Sequence, residues 1–301
     1  MRVLMFGWEF PPYQAGGLAT ATVGLVKGLL RQGIEVTLVV PFPVTGSPIS
    51  GLRLVGVEPS PALTVHRVPS PLTAYGGEAA YREVLAAAPR GAGRPVYGAT
   101  LMEEVERFAA VAGEIAAREP HDVIDAHDWL TFPAAIAARA VSGKPFVAHI
   151  HATEYDRAGE HGNAAIVWRE GEGLRAADHV VANSHMLARR CVERFGLAPE
   201  RVDVVHWGID ADAPAPAPIR RDRARHPVVL FLGRVTWQKG PETFLEVASR
   251  VARFVPEARF VMVGTGDLLP AVIRRTAELG LAGRMRFAGG LHGEDVARAY
   301  R

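Results

Sequence analysis

The chain holds a single cysteine, Cys191, so no disulfide can form within it, and such sparing use points to a reducing, cytoplasmic setting. No apolar run approaches the ~20 residues that a membrane helix requires; the stretch from Val228 to Leu232 is only as long as a strand. No secretion signal is expected either, because only Arg2 precedes Val3 to Phe6, and Trp8-Glu9 then breaks the apolar run. Lysine is scarce: Lys27, Lys144 and Lys239 are the only lysines among 34 basic residues. A position that keeps lysine in so arginine-biased a chain suits a compact ammonium rather than a planar fork.

What is present is ordinary for a soluble globular protein. Hydrophobic residues make up 49% and charged residues 22% of 301, which excludes wholesale disorder and allows two domains. The net charge of +2 conceals an asymmetry: residues 1–212 carry 19 basic against 24 acidic side chains, and residues 213–301 carry 15 against 8. A basic C-terminal part suits an anionic ligand, although a solvated arginine surface gives the same count.

Short apolar strand signals alternate with amphipathic helix signals, the pattern of α/β layers built on parallel sheets. Strands are expected at Arg2–Phe6, Glu35–Val40, Val65–Val68, Val123–Ala126, Phe146–Ile150, His179–Ala182 and Val202–Val205. The segments Pro41–Pro61 and Tyr75–Gly98 read as loops, the second with a short helix near Tyr81–Ala87. The Pro-Ala alternation and arginines of 213–226 mark a semi-rigid linker between an N-terminal domain, 1–212, and a second α/β run, 227–301. That run offers strands Val228–Leu232, Arg259–Val263 and Met285–Ala288, helix Leu268–Leu279 and a helix starting near Glu294. Three strands are half of a doubly wound domain, so the second domain is expected to be incomplete.

Candidate chemistry gathers at strand C-terminal ends, where open α/β sheets bind ligands. After the first strand comes Gly16-Gly17-Leu18, ahead of a helix expected to be capped near Thr20 or Thr22; paired glycines there let backbone amides approach an anion. His127, Asp128 and Trp129 follow one strand, and His149 and His151 close another. Alternate strand residues share a face, so His127, Asp128, His149 and His151 suggest a metal-dependent hydrolase as a competing reading. Asp210-Ala211-Asp212 imitates an Asp-x-Asp metal site but sits at the linker's edge, where solvated charges explain it. In the second domain Gly233-Arg234 and Lys239-Gly240 lie between a strand end and a helix start, an arrangement suited to neutralising a diphosphate. Gly264-Thr265-Gly266-Asp267 offers another close backbone approach; Leu269 stands where a dinucleotide fingerprint needs a small residue, so NAD binding is not supported.

These motifs together resemble one family. Trp8-Glu9-Phe10-Pro11-Pro12 with Gly16-Gly17-Leu18, His127-Asp128-Trp129-Leu130-Thr131, His149-Ile150-His151-Ala152-Thr153-Glu154, Asn183-Ser184, Gly208-Ile209-Asp210, and Gly233-Arg234 with Lys239-Gly240 are similar to the retaining GT-B glycosyltransferases of family four, including the glycogen and starch synthases. The resemblance implies two Rossmann-like domains, an acceptor-side one and a nucleotide-sugar-binding one. It also implies metal-independent transfer of a hexose, with glucose favoured, to a glycan or other hydroxyl acceptor, with no cofactor beyond the nucleotide sugar. Nucleic acid is not an expected partner, and any membrane contact would be peripheral. By the same resemblance Arg234, Lys239 and His151 would be catalytic, and Gly16, Gly17, Gly233, Gly264, Gly266, Phe287 and Gly289 would bind the donor. Glu9, Asp128, Trp129 and Glu154 would line the acceptor side. Gln14 stands where bacterial glycogen synthases carry lysine, which favours the broader family, and His206-Trp207 replaces the usual Pro-Asn. The family's Glu-x7-Glu segment would fall beyond Arg301, which makes the chain read as C-terminally truncated. A non-catalytic sugar- or nucleotide-binding fragment is the remaining alternative.

Overall fold

The structure is a computed structural model that describes residues 1–11, 17–57, 101–208, 226–291 and 294–300. The chain forms two compact units, Met1–Asp210 and Ala211–Arg301. The first contains β1 (Arg2–Phe6), α1 (Gly17–Arg31), β2 (Glu35–Val40), β3 (Arg53–Gly56), α2 (Leu101–Arg118), β4 (Val123–His127), α3 (Phe132–Ser142) and β5 (Phe146–Ile150). It continues through α4 (Glu154–Ala158), α5 (Ala164–Ala176), β6 (His179–Ala182), α6 (His185–Phe195) and β7 (Val202–Val204). The second contains β8 (Val228–Leu232), a 3-10 turn (Trp237–Lys239), α7 (Pro241–Phe254), β9 (Arg259–Val263), α8 (Leu269–Glu278), β10 (Met285–Gly289) and α9 (Glu294–Tyr300).

All described strand pairs are parallel, in a seven-stranded sheet ordered β3-β2-β1-β4-β5-β6-β7 and a three-stranded sheet ordered β10-β9-β8. Alternation along β1 shows how the larger sheet is covered. Leu4 and Phe6 enter one buried cluster with Phe108, Ile124, Phe132 and Phe146, while Val3 and Met5 enter another with Val26, Leu38 and Val40. Helices therefore lie on both faces. The order reverses between β1 and β4, so their carboxyl ends, carrying Trp8-Glu9-Phe10 and His127-Asp128-Trp129, flank the switch point where such sheets bind ligands. A separate cluster of Val235, Leu245, Phe260, Met262, Val272 and Met285 holds the smaller unit together.

Two expectations need correction. The stretch read as loop over Pro41–Pro61 contains β3, whose four residues pair with β2 from Thr37↔Arg53 to Val40↔Gly56. Helix α1 starts at Gly17, before the expected caps, and Thr22 lies inside it with its hydroxyl bonded back to the Leu18 carbonyl at 2.9 Å. The strand expected at Val65–Val68, the helix near Tyr81–Ala87, Gly16, Asp210, Asp212 and nearly all of the 213–226 linker lie outside the described residues. Cys191 is buried in α6, and burial followed by Glu170 pushes its thiol up to about 12, so it is no nucleophile at neutral pH.

Candidate functional site

In the first unit the sheet's carboxyl edge holds a histidine cluster. Register places His127 opposite His149, and their rings stack with centroids 4.9 Å apart. His127 Nδ1 lies 2.9 Å from His151 Nε2. The chain then turns at Asp128, whose φ of 61° makes it the one non-glycine residue of positive φ among those described. That turn aims the Asp128 carboxylate at the backbone of the next strand, where Oδ1 accepts the His151 N–H at 2.7 Å. Asn183 Nδ2 donates to the His151 carbonyl at 2.8 Å, so this imidazole sits on a peptide clamped from both sides. The neighbouring Ser184 caps α6 by accepting from the Leu187 N–H at 3.2 Å, which accounts for the Asn-Ser pair as one positioning residue and one cap.

Trp207 stacks on His151 at 5.0 Å with the planes 12° apart, in the place where the sequence departs from Pro-Asn. His206 Nδ1 donates to the Asn183 carbonyl at 3.0 Å. Sequence reasoning gave neither Trp207 nor Asp125 a site role, although Asp125 stands two residues before His127 on one strand face. The four residues considered as a metal set do not converge. The Asp128 carboxylate is bound to backbone, the histidines meet one another edge to edge or face to face, and no metal-holding group of three or more His, Cys, Asp or Glu occurs among the described residues.

Glu9, Asp128 and Trp129 are almost wholly buried, and Trp129 belongs to the main core cluster. Glu154 faces inward as well: its carboxylate accepts from Arg157 Nε at 3.0 Å and from the Asn163 N–H at 3.0 Å. Arg157 also pairs with Glu170, whose other oxygen accepts the Glu154 N–H at 3.0 Å. Burial, and then the nearby Asp128 and Glu154 carboxylates acting against Arg157, raise Glu170 from 4.5 to about 7. The folded protein thus keeps a proton that the unfolded chain releases near 4.5. Stability is expected to fall as pH rises from 4.5 to about 7, and Glu170→Gln to flatten that slope in urea titrations across the window. An identical slope in the variant would remove Glu170 as its source.

In the second unit the carboxyl-end loops are laced by backbone hydrogen bonds: Gly233 N–H to the Val263 carbonyl at 3.0 Å, Val235 N–H to Thr265 at 2.8 Å, and Gly264 N–H to Gly289 at 2.8 Å. Gly264 and Gly266 are needed for this close approach, since an added Cβ would lie 1.8 Å from the Gly233 oxygen and 2.3 Å from the Val235 oxygen. Their nearest neighbours are thus their own chain. Phe287 and Gly289 end β10, where the pairing register shifts. Arg234 leaves the β8 loop and donates to Gln238 Oε1 at 3.0 Å. Lys239 ends the 3-10 turn just before Gly240 and the N-terminus of α7, with its stem 3.8 Å from the place of a Gly233 Cβ. Partial burial, and then Arg234, lower the Lys239 pKa, so an anion here would relieve two crowded cations beside a helix start. Gly17 opens α1, and a Cβ there would meet nothing within 4 Å.

Comparison with known proteins agrees with this architecture. The profile of Glycosyl transferases group 1 matches residues 226–301. An uncharacterized glycosyltransferase of Methanocaldococcus jannaschii is 25% identical over all of this chain and 72% of its own length. A glycogen synthase of Mycobacterium tuberculosis is 26% identical over all of this chain and 70% of its own. Among solved structures, sucrose-phosphate synthase from Thermosynechococcus elongatus superposes with TM-score 0.69 at 17% identity, over 99% of this chain and 73% of that one. Anabaena HepE, solved with UDP and glucose, gives 0.63 at 16% identity over 97% and 70%. The profile of Glycosyltransferase Family 4 matches residues 15–213, which is most of the chain, and the protein accordingly belongs to that family of GT-B glycosyltransferases.

Proposed function

We propose that the chain transfers a hexose, with glucose favoured, from a nucleoside diphosphate sugar to a glycan or other hydroxyl acceptor with retention of anomeric configuration. The observation that carries this reading is the pairing of Arg234 and Lys239 at the β8 carboxyl end, beside the start of α7, in a chain of this family. Two cations beside a helix N-terminus match the charge that grows on a departing diphosphate. In the proposed step the acceptor hydroxyl attacks the anomeric carbon on the face the diphosphate leaves. The carbon–oxygen bond to phosphate breaks with its electron pair on the phosphate oxygen, and that oxygen takes the hydroxyl proton.

Gly16, Gly17, Gly233, Gly264, Gly266, Phe287 and Gly289 are assigned to the donor, and His151 to the sugar. Asp128 is assigned to holding the His151 peptide, for which its hydrogen bond at 2.7 Å is the support. No metal is assigned to the reaction. Incubation with ADP-glucose, UDP-glucose and GDP-mannose, followed by NMR of the product's anomeric proton, tests the reading. Turnover that survives a chelator and yields a product with the donor's configuration is expected. An inverted product would overturn retention, and failure of all three donors together with failure to bind ADP, UDP or GDP would overturn the donor class.

A further inference from the structure

Asp125 has no part in the step above, yet it is a carboxylate buried at 6% exposure in the middle of the sheet. Its Oδ2 lies 3.4 Å from His127 Nε2 and its Oδ1 3.4 Å from His149 Nε2. These are ion-pair distances, and neither Asp125 Oδ1 nor His127 Nε2 has a hydrogen-bond partner among the described residues, so the carboxylate acts on the imidazoles through charge. Burial opposes that charge, but His149 and then His127 outweigh it and hold Asp125 below its ordinary value. Burial, and then the neighbouring histidines, keep His151 well below its own, which favours its neutral form.

An ionised carboxylate only accepts, so the nitrogen facing it must carry the proton. A single proton on the His127 ring therefore sits on Nε2, facing Asp125, and leaves Nδ1 bare. Only a donor fits 2.9 Å from a bare nitrogen, so His151 carries its proton on Nε2. His151 Nδ1 is then the bare atom, and it makes no hydrogen bond among the described residues. Without Asp125 nothing would fix this direction, because the reverse chain, with both protons on Nδ1, satisfies the His127–His151 contact equally well.

We propose that Asp125 is a positioning residue which, through His127, locks His151 in the tautomer whose Nδ1 accepts a hydrogen bond from a hydroxyl of the bound sugar. The tautomer follows from this cluster alone, while its use on a sugar rests on the function proposed above. The donor group is therefore a hydroxyl, and a donor sugar deoxygenated at that position should lose the interaction.

Long-range 1H–15N correlation on the chain labelled at histidine nitrogens tests the tautomer at neutral pH. His127 and His151 are expected to show protonated Nε2 and bare Nδ1; a protonated Nδ1 on His151 overturns the proposal. Asp125→Leu removes the acceptor with little change of shape, and His151 is expected to lose its single tautomer. Asp125→Asn, which is the gentler change should Leu prevent folding, offers one acceptor oxygen and so must reverse His127 or His149. Unchanged imidazoles in a folded variant overturn the proposal. In a transfer assay the variant with reversed His151 is expected to lose about tenfold in kcat with the donor KM little moved, the scale of one hydrogen bond. Unchanged kcat despite a reversed His151 overturns its use on the sugar. Absence of transfer by the unsubstituted chain would instead count against the proposed function and leave the tautomer result standing.

Discussion

Lys239→Ala is expected to lower kcat with a nucleotide sugar by about 100- to 1000-fold, the loss seen when one fixed donor to a developing oxyanion is removed, while the melting temperature stays within a few degrees. The small effect on folding follows from position. Lys239 is only partly covered, ends a short 3-10 turn and lies outside the cluster of Val235, Leu245, Phe260 and Met285. The large effect on rate follows from charge. Partial burial and Arg234 both work against the ammonium, and an arriving diphosphate reverses the sign of that balance. Because the interaction strengthens as the leaving group gains charge, it appears in kcat more than in KM. Lys239→Arg tests the scarcity of lysine noted in the sequence. A guanidinium restores charge but not a compact point donor, so recovery is expected to be partial. Unchanged turnover in Lys239→Ala would remove this residue from the mechanism.

Much of the fold was legible because parallel strands buried on both faces are continuous apolar runs, and β1, β2, β5, β6, β8 and β9 have the limits their sequences suggest. Strand β3 was not, because Arg53-Leu54-Val55-Gly56 is four residues long, lies among turn-forming residues and owes its conformation to pairing with β2. The start of α1 was misplaced for a different reason: Thr20 and Thr22 resemble caps in sequence, yet a threonine hydroxyl can also bond backward within a helix, as Thr22 does. Strand-end histidines could be picked out one by one. Their mutual geometry could not, since it depends on His127 standing opposite His149 across β4 and β5. Glu154 looked like a cleft residue, but the three-residue offset to Arg157 on α4 and the carboxylate of Glu170 turn it inward. That offset was a usable signal.

Gly264→Ala is expected to destabilise the second unit by about 3 to 5 kcal/mol, combining backbone strain with overpacking. Gly264 has φ of 141°, a region that side-chain-bearing residues rarely occupy, and the new Cβ would fall 1.8 Å from the Gly233 carbonyl oxygen. Backbone cannot step aside there without losing the hydrogen bonds from Gly233 to Val263 and from Gly264 to Gly289, which tie the ends of β8, β9 and β10 together. Gly283→Ala is the matched control, since a Cβ there meets nothing within 4 Å and φ is not positive; it should change stability by less than about 0.5 kcal/mol. Hydrogen exchange of the β8 and β9 amides reads both variants within the whole chain. The comparison separates two reasons for a glycine at a strand's carboxyl end. If Gly264 serves only a phosphate's approach, the alanine variant keeps its exchange protection and loses nucleotide affinity; if it serves the packing of loop on loop, protection is lost first and affinity follows. The distances favour packing, and strong protection in Gly264→Ala would show that the β8 and β9 loops have room the structure does not give them.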